Sequence, residues 1–505
     1  MQLRYSWLQP GLRSRGAGHS CLGNTQEGEY RMRLPRALLL YGLAWAAPLL
    51  AQPDYRQHGA PASAAKADPA IVRALGAIEP AHIEETIRSL VGFGTRSTLS
   101  SMETGLGPGQ GINAAADWVA AQFEQISRDC GGCLEVHRDT FTEPAAERIP
   151  RPTTLTNVYA VLRGTDPARA KRMVLVTGHY DSRNSDVLDA RGAAPGANDD
   201  ASGVAVSLEC ARALTRLRFP GTIVFVAVAG EEQGLNGSRH LAKLARTEGW
   251  QLAAVLNNDI VGGNTTSGDS LQLKDRVRVF SEGIPAAATP EEARRLRALG
   301  AENDSPSREL ARAVADTARG YFPAGGQEAF AAFLVGRPDR YLRGGDHSSF
   351  NREGFAAVRL TEWREDYNHQ HQNVVRPAAG SADPVLGDLP EFVDPKYVAN
   401  VARVNAATLA TLASAPGEPG KVAILTEKLE NGTTLRWEPP AGGAAGYEVV
   451  WRETTAPEWQ FMQRVEPAGD AAAAVTVNIP VSKDNVIFGV RAVDAGGHRS
   501  LVVVP

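Results

Sequence analysis

The sequence predicts an α/β domain, built on a mixed and mostly parallel sheet flanked by helices, followed by a small C-terminal β-sandwich. Three observations support that class. Two apolar runs of buried-strand type, VLVT at 174–177 and TIVFVAVAG at 222–230, bracket a helical pattern at 201–217. Further strands and amphipathic helices alternate on either side, as they do in parallel-sheet domains. Beyond residue 421 the helical patterns stop, and short alternating strands take over.

Taken in order, the chain opens with an extension at 1–31. From Met32 it reads MRLPRALLLYGLAWAAPLLAQ: Arg33 and Arg36, an apolar run, then small residues near Ala51. This is the pattern of a cleavable export signal, too short to make a good membrane span. Residues 1–51 therefore read as extension and signal peptide. The mature protein is expected to be exported (periplasmic, secreted or extracellular), with no stable membrane insertion after cleavage. Residues 52–70, rich in Ala, Pro and polar side chains, read as a flexible N-terminal tail. Helical periodicity occupies 71–93, a Gly/Ser/Thr loop 94–111, and an amphipathic helix 112–126. LEVHRDTF at 134–141 and TLTNVYAVLRG at 154–164 alternate as strands. After the central stretch come a helix in LNGSRHLAKLAR and a strand in LAAVLNNDIVG. The region 262–345 shows only a strand, VRVFSEG, and a helix near 310–318 before GGDHSSF. AAVRLTEW is a strand, and 393–414 is a long helix that closes the domain at 71–414. APGEPGK at 415–421 is a linker by composition, and 422–505 forms the sandwich.

Composition narrows the function. The chain has 505 residues, 43% hydrophobic and 22% charged, which is ordinary globular composition. The net charge of -4 points to neither nucleic acid nor an anionic membrane as partner. Of the four cysteines, Cys130 and Cys133 form a CGGC pair. In an exported protein these are a structural disulfide or free thiols. A thioredoxin-like motif would need a βαβ context that the pattern lacks.

The chemistry lies in five segments: GHYDS, GANDDASG, GEEQG, NNDIVG and NHQHQN. The first four directly follow a strand or start a helix. In an open α/β sheet, ligands bind beyond the carboxyl ends of the strands. Imidazole and carboxylate are the ligands of a hard or borderline metal, and a hydrolytic pair of metals needs one carboxylate between them. A lone acidic loop would mean a solvated surface; four on consecutive units of one sheet point to a metal site. His82, His137 and His240 fall in ordinary helical or strand patterns and read as surface or packing residues.

These segments resemble the two-zinc aminopeptidase family that includes bacterial leucyl aminopeptidases and glutamate carboxypeptidase II. The likeness runs over roughly 71–414. It implies two zinc ions, with His179 and Asp259 on one, Glu232 on the other, and Asp199 bridging both. It also implies a cis peptide between Asp199 and Asp200, Glu231 as general base, and Asp181 orienting the His179 imidazole. The family's last ligand is a histidine four residues before an acid or amide. In NHQHQNVV that register selects His369, with Asn373 where the family often has Asp. His371 is the rival, and His347 of GGDHSSF a further one. GGDHSSF resembles a SDHxxF segment that flanks the site, so a supporting role is expected for it.

The resemblance implies hydrolysis of peptides by a metal-activated water, with removal of N-terminal residues; carboxypeptidases and dipeptidases share the fold. A related exopeptidase family has a different bridging-acid loop, which GANDDASG does not match. Glutaminyl cyclases use the fold with one zinc and lack the first histidine, against which His179 argues. A catalytically degenerate cell-surface binding protein is suggested by the C-terminal domain, but every ligand position is filled. No G-x-S-x-G elbow speaks for a serine hydrolase. Trp437, Tyr447 and Trp451, with GVRAVDAGGHRS, resemble a fibronectin type III domain, through which a surface or matrix partner could be held. All proposed ligands precede 415, so that domain is expected to be dispensable for the chemistry.

Overall fold

The computed structural model describes residues 53–468 and 473–505, and the expected extension and signal peptide lie outside them. A short helix α1 (Asp54–Gln57) and strand β1 (Ala60–Pro61) come first. The stretch at 71–93 is not one helix but two, α2 (Pro69–Leu75) and α3 (Pro80–Val91). Proline at the first position of α3 starts a helix rather than continuing one. Helix α4 (Gly111–Asp129) leads to strands β2 (Leu134–Glu143) and β3 (Thr153–Leu162), paired antiparallel. Cys130 and Cys133, just past α4, form a disulfide.

The sheet then takes its centre. Strands β4 (Arg172–His179), β5 (Thr222–Val228) and β6 (Gln251–Asn258) are linked by helices α5 (Ala201–Leu214) and α6 (Asn236–Thr247). β4 and β5 are buried along their whole length, because helices cover both faces of the sheet. The region 262–345 contains more structure than its sequence suggests. It holds strand β7 (Arg276–Phe280), helices α7 (Pro290–Ala298) and α8 (Pro306–Tyr321), and strand β8 (Ala331–Val335). Helix α9 (His347–Arg352), strand β9 (Ala357–Thr361) and helix α10 (Pro395–Ser414) complete the domain. The eight strands run in the order β2-β3-β5-β4-β6-β9-β7-β8. The four central ones, β5, β4, β6 and β9, are parallel, and antiparallel pairings join β3 to β5 and β7 to β9.

Helix α5 enters the sheet at close range. A Cβ on Gly178 of β4 would lie 2.4 Å from the Gly203 carbonyl carbon, and one on Gly203 would lie 2.2 Å from the Asn258 carbonyl oxygen. Only glycine allows that approach. It brings the start of α5, and the acids before it, against the ends of β4 and β6.

The C-terminal part is a sandwich of two antiparallel sheets. Strands β10 (Gly420–Leu425), β11 (Thr433–Glu438) and β14 (Val475–Ile479) make one. The other contains β12 (Gly446–Glu453), β13 (Phe461–Val465) and β15 (Val486–Val493). Trp437, Tyr447, Trp451 and Phe488 fill the space between them. Two boundary expectations need correction. Residues 52–70 are not a free tail: β1 adds to this second sheet beside β13, Ala60 opposite Met462. Trp451 Nε1 donates to the Tyr55 carbonyl at 2.9 Å. The pairing uses backbone groups at a sheet edge, where proline is tolerated, so composition gave no sign of it. Nor is 415–421 a loose linker. Ala415 is buried, β10 already begins at Gly420, and Glu418 pairs with Arg172 of β4 at 2.7 Å.

The α/β domain and the sandwich meet across buried charge. Arg452 of the sandwich pairs with Asp304, both side chains about 1% exposed. Trp459 Nε1 donates to Glu309 of α8 at 2.9 Å, and Arg312 Nε to the Pro457 carbonyl at 2.7 Å. Glu448 holds Arg491 at 2.7 Å and Arg499 at 3.1 Å, and both arginines face Asp316 of α8.

Candidate metal centre and active site

Parallel strands β4, β5, β6 and β9 end on one side of the sheet, and the loops that follow them converge. His179 is the last residue of β4, Glu231 and Glu232 follow β5, and Asp259 follows β6. Asp199 sits just before α5, and the Asp199–Asp200 peptide is cis. Asp200 caps α5 by accepting from Gly203 N at 2.9 Å, and it also accepts from His179 N at 3.0 Å.

Two ligand clusters result. His179, Asp199 and Asp259 offer atoms within 4.8 Å of one another, and so do Asp199, Glu232 and His371. His179 Nε2 lies 3.1 Å from Asp199 Oδ1 and 3.9 Å from Asp259 Oδ1. His371 Nε2 lies 2.9 Å from Asp199 Oδ2 and 3.0 Å from Glu232 Oε1. Asp199 thus turns one oxygen to each cluster. His179 Nε2 and Glu232 Oε1 are buried yet make no hydrogen bond. Such orphaned atoms are costly unless something else satisfies them. Two such orphaned atoms among converging donors, one in each cluster, fit a pair of cations, and N/O donors suit zinc among others.

The structure corrects the last ligand. His371, not His369, joins Asp199 and Glu232. His369 turns away and stacks on Phe392, with ring centroids 3.5 Å apart. Its Nδ1 lies 3.3 Å from both Asn264 Oδ1 and Thr266 Oγ1. His371 adopts a left-handed backbone, φ 55°, which reverses the loop and returns its ring to the site. His347 is buried, with Nε2 2.7 Å from the Pro338 carbonyl, and belongs to neither cluster. His82, His137 and His240 also stand outside: His82 lies by Glu209, His137 stacks on Tyr159 and His240 on Phe141.

The model of peptidase family M28 matches residues 157–382, a span that includes every residue of both clusters. A probable zinc metalloprotease of Pyricularia oryzae is 45% identical over 455 residues, covering 88% of this chain and 86% of the relative. One from Leptosphaeria maculans is 44% identical over 430 residues, covering 85% and 95%. The chain belongs to peptidase family M28. Among solved structures, the Legionella pneumophila LapA aminopeptidase is 19% identical, with a TM-score of 0.46, covering 71% of this chain and 79% of its own. A Bacteroides thetaiotaomicron glutaminyl cyclase is 15% identical, with a TM-score of 0.44, covering 66% and 98%.

In this M28 peptidase several buried groups hold the clusters in place, and most were not legible in the sequence. Asp181 does more than face His179. Its Oδ1 lies 3.4 Å from His179 Nδ1, and its carboxylate accepts from Glu231 N and Glu232 N, each at 3.1 Å. Thr98 Oγ1 donates to it at 2.9 Å. Asp181 therefore holds the first histidine, with its backbone carbonyl 3.2 Å from His179 Nδ1, and the glutamate turn with its carboxylate. Asp388 accepts from Asn198 N and Asp199 N, each at 2.7 Å. Gln370 Nε2 donates to Asp199 Oδ2 at 3.1 Å. Arg359 pairs with Asp259 at 2.6 Å. Burial works against the charge on Asp259, but Arg359 and His179 hold it below the usual carboxylate range. Burial also opposes a charge on His371, which Glu232 and Asp199 nonetheless push up to about 10.

Glu231 belongs to neither cluster but lines the same cleft. Burial pushes its carboxyl well above the usual range, and Asp259, Glu232 and Asp346 add to the effect. Asp346, from the GGDHSSF segment, is fully buried with both carboxylate oxygens unbonded. The supporting role read for that segment thus falls on Asp346 beside Glu231, while His347 braces the loop before it.

Proposed function

We propose that this zinc-dependent peptide hydrolase is an exported two-zinc aminopeptidase, with Glu231 as its general base. The observation that carries the two-metal reading is the split of Asp199, one oxygen in each cluster. A one-zinc cyclase site needs only one cluster. His179, Asp199 and Asp259 would hold one ion, and Asp199, Glu232 and His371 the other. Two zinc ions held there would polarise the scissile carbonyl and lower the pKa of water at the site toward about 7. Glu231 takes the proton of the attacking water and delivers it to the leaving amine. A carboxyl whose pKa is raised by its surroundings is suited to both halves of that transfer. Asp181 keeps Glu231 and Glu232 apart in role by fixing both backbone N–H groups, so that the adjacent side chains diverge.

The aminopeptidase mode rests on the likeness of the five segments to two-zinc aminopeptidases. Export is supported by the signal pattern at 32–51 and by the Cys130–Cys133 disulfide, since such bonds persist in oxidising compartments. The aromatic core of the sandwich supports a fibronectin type III-like domain, with a surface or matrix partner as its occupant. The test is release of the free N-terminal amino acid from a peptide panel, with N-acetylated peptides alongside and chelator in a parallel series. Free peptides should be trimmed, acetylated ones spared, and chelator should stop the reaction. Cleavage of acetylated peptides at their C-termini would replace this mode with carboxypeptidase action.

A further inference from the structure

The cleft over the two clusters, about 410 Å³, carries arginines as well as acids. Arg148, Arg183, Arg340 and Arg343 line it together with Asp199, Glu231, Glu232 and Asp259. The four arginines are not equivalent. Arg340 is committed to Asp339 at 3.1 Å and Glu365 at 2.8 Å, and Arg343 reaches Glu365 at 3.3 Å. Arg148 and Arg183 pair with no carboxylate among the described residues, although four acids share their cleft. Arg148 Nη1 donates to the Glu232 carbonyl at 3.2 Å, which ties it to the loop of a metal-cluster residue. Arg183, two residues past Asp181, donates only Nε, to the Asn184 carbonyl at 3.1 Å. Each guanidinium has five donors in a planar fork, so most remain without a protein partner. That fork matches a carboxylate in two-point contact. The acids Asp199, Glu232 and Asp259 are buried, whereas Arg148 is exposed and Arg183 half-buried. The cleft therefore has a floor of proposed metal ligands and a cationic rim.

We propose that Arg148 and Arg183 form a carboxylate-binding subsite on the leaving-group side of the scissile bond. Preferred substrates are then short peptides that carry a carboxylate beyond their first residue. The inference rests on the aminopeptidase reading, in which only the first residue lies on the acyl side of the scissile bond and the rest of the peptide runs to the rim. Charge complementarity then draws a carboxylate in that remainder to the two arginines. The carboxylate has two sources, the C-terminus of a di- or tripeptide or the side chain of Asp or Glu.

The test compares kcat/KM for Leu-Gly-Gly with that for its C-terminal amide, and for Leu-Glu-amide with that for Leu-Gln-amide. A preference of about 10-fold or more for the carboxylate member is expected in at least one pair, as a charge-assisted two-point contact supports. The first pair identifies the C-terminus as the source, the second the side chain. In Arg148→Gln and Arg183→Gln the preference should shrink toward parity, chiefly through KM. Arg148→Lys, which keeps the charge and loses the fork, should restore only part of it. Calorimetric binding of the same four peptides to Glu231→Gln enzyme should give the same order without turnover. Parity within both pairs in the unaltered enzyme overturns the subsite and leaves the aminopeptidase reading intact. A preference that survives both substitutions also overturns it, because other groups then hold the carboxylate. Failure to release leucine from any of the four peptides removes the aminopeptidase reading and the subsite with it.

Discussion

In the proposed mechanism two adjacent glutamates at the end of one strand have different work to do, and a change of one atom type separates them. Glu231→Gln keeps the side chain's size but cannot take a proton from water, so kcat should fall by about 10²–10⁴. Zinc content and melting temperature should stay near those of the unaltered protein, since Glu231 is in neither cluster. Loss of zinc in this variant, or near-normal turnover, would mean the two glutamates have exchanged roles. A second pair of variants decides between the histidines. His371→Ala should lower the zinc found by elemental analysis from two ions per chain to one, whereas His369→Ala should leave it at two. The sequence shows why this choice was open. Both imidazoles sit in NHQHQN, two residues apart, and spacing from Asn373 favours the wrong one. What selects His371 is a left-handed turn at that residue and the stacking of His369 on Phe392, which lies 23 positions further along. Neither is a local property of the segment. By contrast, His179, Glu231, Glu232 and Asp259 were legible because they stand at strand ends, and Asp199 because it stands just before the start of α5.

The same contrast holds for elements. Strands β4, β5 and β6 announce themselves as unbroken apolar runs, since a strand covered on both faces has no polar side to show. The strip from β7 to β8 announces little. β7 and β8 are only five residues each, and β8 is exposed or half-exposed along its length. Placement of the acids depends on the fit of α5 against β4, and that fit can be tested. Gly178→Ala would set a Cβ 2.4 Å from the Gly203 carbonyl carbon. Backbone lies on the other side, so the helix start must shift. A loss of about 1–3 kcal/mol in urea unfolding is expected, the usual cost of forcing extra volume into a packed core. Zinc affinity should fall with it, because Asp199 moves with the start of α5. Unchanged stability together with unchanged zinc content would show that the approach of helix to strand is looser than these distances indicate.

At the scale of the whole molecule, the sandwich is part of the enzyme's stability and not an appendage. Its boundary near 415 was legible in composition, but its attachment was not, because charged residues in a sequence read as solvated surface. Here they are buried between domains. Arg452→Ala would leave Asp304 and Glu309 to share Arg312 alone, and stability should fall by no more than the about 3–5 kcal/mol that breaking a buried pair costs. The double variant Arg452→Met with Asp304→Asn should recover much of it in the same urea titration. A chain ending at Ser414 loses those partners together, so the expectation that the sandwich can be dispensed with is replaced by one of weakened or absent folding. The N-terminal segment extends this argument into time. Ser63 meets Arg499 across 436 positions and Tyr55 meets Trp451 across 396, so this segment binds residues made long after it. At ribosomal rates of about 5–20 residues per second, that partner arrives roughly 20–90 seconds later. During synthesis the pairing of β1 with the sandwich edge therefore waits until β13 has been made.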